Sequence, residues 1–163
     1  MFIKRLKRYF QIIIFASICI LIYSWYNNYQ FSNKDLNINI VKQIKKKEHA
    51  LKNLVYRHYK INVNFPIIIS NELPSNLFGL TSYSKEGIRI YLNKKRFQES
   101  LDYMIDDVLP HEFAHAMIFK LKLFSKKNAG HSKQWQEVCK KLQGLRCERF
   151  VKTNDIVFGK TNF

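Results

Sequence analysis

Cysteine, glycine, proline and acidic residues are all scarce in this chain. Three cysteines in 163 residues, with no C-x-x-C pair, exclude a disulfide-dense miniprotein and a cysteine-held zinc ribbon. Five glycines and three prolines exclude collagen-like and linker-like sequence. Only 12 acidic residues stand against 28 basic ones, a formal net charge of +16. The excess is Lys rather than Arg, 21 to 7. Ile and Asn are abundant beside it, a bias that an AT-rich genome produces as readily as selection does. The charge is uneven: residues 61–119 are weakly acidic and both flanks are basic. That pattern fits a Lys-rich solvated surface better than a dedicated polyanion site, so nucleic acid is the less favoured partner. At 47% hydrophobic residues the chain can bury the core of one domain.

What the chain does have is a long apolar run. Lys4, Arg5, Lys7 and Arg8 precede residues 9–26, which carry no charge. A helix of that length spans about 27 Å, close to the roughly 30 Å of a bilayer's hydrocarbon. Tyr9 at one end and Tyr23, Trp25 and Tyr26 at the other have the character of interfacial aromatics. No small-x-small cleavage site follows the run, and Ile18 is too bulky before Cys19 for lipoprotein processing. The expectation is an uncleaved anchor: residues 1–8 cytoplasmic, residues 9–26 crossing the inner membrane once, and the rest outside. Lys42, Lys45, Lys46 and Lys47 pull against that orientation, but long domains cross largely regardless of charge. A cytoplasmic location is the second choice.

Residues 27–39 are polar and Asn-rich and read as a linker. From Ile40 to Lys60 the apolar residues recur at helical spacing. Residues 64–70 read as a short buried strand. Residues 77–84 and 87–93 flank Lys85-Glu86-Gly87 as the arms of a hairpin. Residues 97–124 read as one helix, kinked or restarted at Pro110. A helix from Ser132 to Gln143 follows a Gly-His turn, with Gly144 as its stop. The domain is expected to cover residues 40–150, with residues 151–163 a tail.

Within the long helix lies Pro110-His-Glu-Phe-Ala-His115. Two histidines four residues apart leave one face of a helix, one turn apart, and both imidazoles can reach one Zn²⁺. Glu112, beside His111, is placed to act as general base toward a metal-activated water. Apolar Val108, Leu109, Phe113, Ala114, Met117 and Ile118 would bury this helix. A third ligand must come from elsewhere, because the extended pattern fails: Ile118 stands where Gly is needed and Leu121 where His is needed. His131 after Gly130 is the preferred third ligand, and Glu137 is the alternative. His49 and His58 have no second ligand nearby and read as ordinary histidines. Asp107 reads either as an acid that orients His111 or as a solvated helix carboxylate. Trp135 reads as packing beneath the site. Tyr83 and Tyr91 fit ordinary strand preference better than a role in polarising a carbonyl. Cys139 and Cys147 either pair, in an oxidising compartment, or are small buried residues.

Pro110-His-Glu-Phe-Ala-His-Ala116, a connector, and Gly130-His-Ser-Lys-Gln-Trp135 together resemble the SprT-like family of zinc metallopeptidases, over about residues 40–150. The resemblance implies His111, His115 and His131 as zinc ligands, Glu112 as the catalytic residue, and a protein or peptide substrate. Two departures point away from a DNA-linked role: the chain lacks the cysteine-rich ribbon of many relatives, and it carries the apolar segment. The expected fold is α+β: an N-terminal transmembrane helix followed by a minimal zincin-like domain. There an N-terminal helix packs on a small antiparallel sheet, with the metal helix behind it. Substrate is expected to add as a strand along the hairpin edge.

Overall fold

The apolar run and the residues around it form one helix, α1 (Phe2–Asn33). A computed structural model describes residues 2–126 and 130–149; the expected tail, residues 151–163, lies outside them. The chain divides into two units, with the boundary after Leu36. In the first, Ile12, Phe15, Ile20, Leu21 and Trp25 are all exposed, and Ile3–Phe31 is long and apolar enough to cross a membrane. The helix outruns the expected residues 9–26. Residues 27–33, read as linker, are helical: no Pro or Gly interrupts them, Trp25 stacks on Tyr29, and Asn33 donates to the Tyr29 carbonyl. The irregular connection shrinks to residues 34–37.

The second unit opens with α2 (Ile38–Tyr59). It starts ahead of the apolar periodicity because the Asn37 side chain accepts from the Asn39 amide and caps the first turn. Ile44, Leu51 and Val55 form its buried face. Three strands come next: β1 (Ile67–Ser70), β2 (Gly79–Ser84) and β3 (Gly87–Asn93), in the order β1-β3-β2. β2 and β3 make the expected hairpin, turning through Lys85-Glu86 with Gly87 at φ 117°. The sheet is not purely antiparallel, because β1 pairs parallel to β3, Ile67 opposite Ile90. This central position leaves Ile90 and Leu92 without exposure, and β1 and β2 as the two edges.

Asn93 ends β3 and ties it to the segments on either side. Its side-chain amide donates to the carbonyls of Pro74 and Leu77 at 3.1 and 2.7 Å. Its carbonyl oxygen accepts from Lys95 and caps α3 (Lys94–Glu99). The expected single helix over 97–124 is therefore broken. It starts at Lys94, is interrupted at Ser100 with φ −159°, and resumes as α4 (Leu101–Tyr103). A π-helical turn, Met104–Val108, leads into α5 (Leu109–Lys120), and the Leu109 amide reaches back to the Met104 carbonyl. The widened turn relieves the clash that the Pro110 ring would make with the carbonyl four residues earlier.

α5 lies against β2 and β3 on one side and α6 (Lys133–Lys141) on another. α2 packs mainly on the π turn and α5, not on the sheet as expected. Leu51, Val55, Leu92, Leu109, Phe113 and Met117 form the centre of the core. Gln143, not Gly144, takes the left-handed position that ends α6, at φ 58°. The amides of Gln143 and Gly144 close a Schellman motif on the Lys140 and Cys139 carbonyls. Gly144 is required for a close approach instead: a Cβ there would lie 2.6 Å from the Cys139 sulfur. Cys139 and Cys147 are joined in a disulfide.

Asn93→Ala removes a helix cap and the donor that the Pro74 and Leu77 carbonyls share, so it should destabilise the domain by about 1–3 kcal/mol. Asn93→Asp restores the cap acceptor but not the donors and should be nearly as damaging. Urea unfolding of the detergent-solubilised chain measures both; a harmless Asp variant would reduce Asn93 to a cap.

Candidate metal centre

α5 is dehydrated on most of its circumference, and His111, Glu112 and His115 face one cleft. His111 and His115 leave the same face one turn apart, with ring centroids 5.0 Å apart. His131 arrives from the connection ahead of α6. Gly130, at φ 86°, turns the chain there, and a Cβ at that position would sit 3.5 Å from the His115 ring. Ser132 caps α6 by accepting from the Trp135 amide. The fully buried Trp135 indole then lies against all three imidazoles, at 4.6, 5.1 and 4.5 Å from His111, His115 and His131. It is packing, as expected.

The His131 Nε2 lies 3.1 Å from that of His111 and 3.2 Å from that of His115. Burial, reinforced by His131, pushes the His111 pKa down to about 3. Burial, then His111 and His131, push that of His115 down to about 3. Both are therefore neutral at physiological pH, the form that binds metal. Imidazoles converging through Nε2 cannot all satisfy one another, since each nitrogen carries either a proton or a lone pair. A cation among them satisfies all three, and the three residues are positioned to bind a metal ion. Glu137, the alternative ligand, is exposed on α6 outside this cluster, close enough to Tyr59 to help raise its pKa. His49 and His58 are exposed on α2, well apart from the cluster.

Glu112 faces the edge of β2. Its carboxylate accepts from the Thr81 hydroxyl at 2.7 Å, and the Thr81 backbone amide also bonds it. Gly79 makes room: a Cβ there would fall 2.7 Å from the Glu112 Cγ. Burial raises the Glu112 pKa to about 7, against the lowering effect of both Thr81 bonds. Neither Gly79 nor Thr81 is legible as a site residue in the sequence, because an edge strand reaching a helix 31 positions away leaves no local pattern. Asp107 takes neither of its expected places. It is buried and faces Arg146, at 3.8 Å, and burial raises its pKa.

These groups form the floor of a cleft of about 740 Å³. Phe119 and Phe124 stack at one wall, with Tyr83 against Phe119. At the other, Phe78 meets Tyr103 edge-on, Arg96 covers Phe78, and Arg146 covers Tyr103.

An α+β scaffold thus presents, on one cleft, three imidazoles positioned to bind a metal ion and a buried carboxylate. The family model of the SprT-like family matches residues 21–155, and the chain belongs to that family. No curated protein and no solved structure matches the chain significantly.

His131→Ala should strip most metal from the detergent-solubilised chain, read by elemental mass spectrometry after dialysis; full retention would return Glu137 as ligand. A second expectation concerns the metal-free protein. Glu112 ionises at about 7 when folded and near 4.5 when unfolded, so the unfolded chain loses the proton first as pH rises. The stability its neutral form contributes is present below pH 4.5 and lost by pH 7 and above. Metal-free Glu112→Gln should therefore match wild type at pH 4.5 and exceed it by about 2–3 kcal/mol at pH 8 in urea unfolding.

Proposed function

We propose that the chain is a membrane-anchored, zinc-dependent metallopeptidase that hydrolyses peptide bonds with Glu112 as general base. The observation that carries this reading is the position of Glu112 beside His111, buried at the cleft floor with its pKa raised to about 7. A purely structural metal site has no use for a buried carboxylate beside a ligand on the floor of an open cleft. His111, His115 and His131 would hold the zinc. When bound, zinc acts as a Lewis acid that polarises a carbonyl and eases the ionisation of water. Glu112 takes the proton from the attacking water and delivers it to the leaving nitrogen. Thr81 holds the carboxylate in place through its hydroxyl and amide, and Gly79 permits the approach. Substrate would run along β2. The Asn93 backbone amide bonds the Phe78 carbonyl, so alternation turns the backbone polar groups of Gly79 and Tyr83 outward, where an extended chain can pair with them, while the Thr81 amide is taken by Glu112.

The membrane-anchored part rests on α1 and on the disulfide. A pair such as Cys139–Cys147 persists outside the cytosol, which supports an exported domain over a cytosolic protease recruited to DNA.

Glu112→Gln should keep its metal and lose at least about a hundredfold in peptidase activity on unfolded protein substrates. Thr81→Val should keep its metal and lose less, in kcat rather than KM. Equal activity in wild type and Glu112→Gln would favour a metal-stabilised binding module.

A further inference from the structure

We infer that the outer face of α2 is a docking surface for anionic phospholipid. This rests on the anchoring role proposed for α1. Lys42, Lys45, Lys46, His49, Asn53 and Arg57 recur every three or four residues, so they form one stripe along the helix, and all are exposed. The stripe contains no acidic residue. The basic side chains that lean off it are neutralised: Lys47 pairs with Asp106 at 2.7 Å and Lys52 with Glu48 at 2.6 Å. Among the described residues, no carboxylate pairs with Lys42, Lys45 or Lys46.

The arrangement is unfavourable for an isolated helix. Lys42 and Lys46 are like charges one turn apart, as are Lys42 and Lys45, and the first turn holds no acid to balance the dipole. A flat polyanion laid along the stripe removes both penalties.

Lipid fits better than nucleic acid for two reasons. Only residues 34–37 separate α1 from α2, so in sequence the stripe begins just after the segment proposed to enter the membrane. The stripe also carries Ile38 and Tyr56, 64% and 54% exposed, an apolar and an aromatic side chain suited to the headgroup boundary.

The test uses the full chain in nanodiscs of phosphatidylcholine, with or without phosphatidylglycerol, and acetylation of lysines read by mass spectrometry. With phosphatidylglycerol, labelling of Lys42, Lys45 and Lys46 should slow by at least about fivefold, the weight of one basic residue at an anionic surface. Exposed Lys85 on the hairpin should be unaffected, and high salt should restore the rate. Unchanged labelling in nanodiscs that hold the chain would overturn the proposal alone. Protection by duplex DNA but not by phosphatidylglycerol would overturn it in favour of nucleic acid. Failure of the chain to enter nanodiscs would remove the anchor and this proposal together.

Discussion

The close, dehydrated contact between Glu112 and the edge of β2 sets the terms for the rest of the domain. A carboxylate withdrawn from water needs donors, and here they come from one residue, Thr81, through hydroxyl and amide. For Thr81 to reach, the strand must lie against α5, which only a residue without a Cβ at position 79 allows. Within the sheet β2 pairs with β3 alone, and the end of β3 is fixed by Asn93, whose side chain gathers the loop before β2 and caps α3. The catalytic reading of Glu112 thus depends on a polar residue one position beyond the Gly79–Leu92 pair.

The metal side of the cleft has a different support. His131 belongs to neither α5 nor α6; a glycine turn and the Trp135 indole determine where its ring lies. Trp135 touches all three imidazoles, so the rotamers of the ligands are limited before any metal arrives. Such preorganisation reduces the ordering that binding would otherwise require. The low pKa values of His111 and His115 arise from the same burial, and keep protons from competing for the site except in acid.

The sequence makes these two sides unequally legible. The two histidines of α5 are readable because helix geometry alone brings residues four apart together. His131 is readable because Gly130 precedes it and the segment to Trp135 resembles a family pattern. Thr81 and Gly79 are not, because their role exists only across the junction of an edge strand and a helix. Strand direction escapes for a similar reason: residues 67–70 are an apolar run that fits beside β3 in either sense, and a non-local choice makes them parallel. Pro110 announces an irregularity, but whether it becomes a kink or a π turn depends on how α5 must be rotated to bury Phe113 and Met117. The Asn-rich stretch after Tyr26 misleads because asparagine favours loops only weakly.

The placement of charge and sulfur agrees with the placement of the apolar helix. The disulfide closes a short loop, Cys139 to Cys147, for which chain entropy gives about 2–3 kcal/mol. Its larger effect is local. It ties down the segment that carries Arg146, which faces the buried Asp107 and covers Tyr103 at the cleft wall. Reduction would free that segment and leave Asp107 in the interior without its cation, a costly state for a buried carboxylate. The wall of the cleft therefore depends on the oxidised pair, and a domain built in this way fits a compartment where thiols stay oxidised. The apolar helix behind a basic N-terminus is long enough to cross a membrane, and under the proposed anchoring the bias of basic residues would put the domain on that same side. The two arguments share no residue and no physical term, and both bear on the proposed location independently of the cleft.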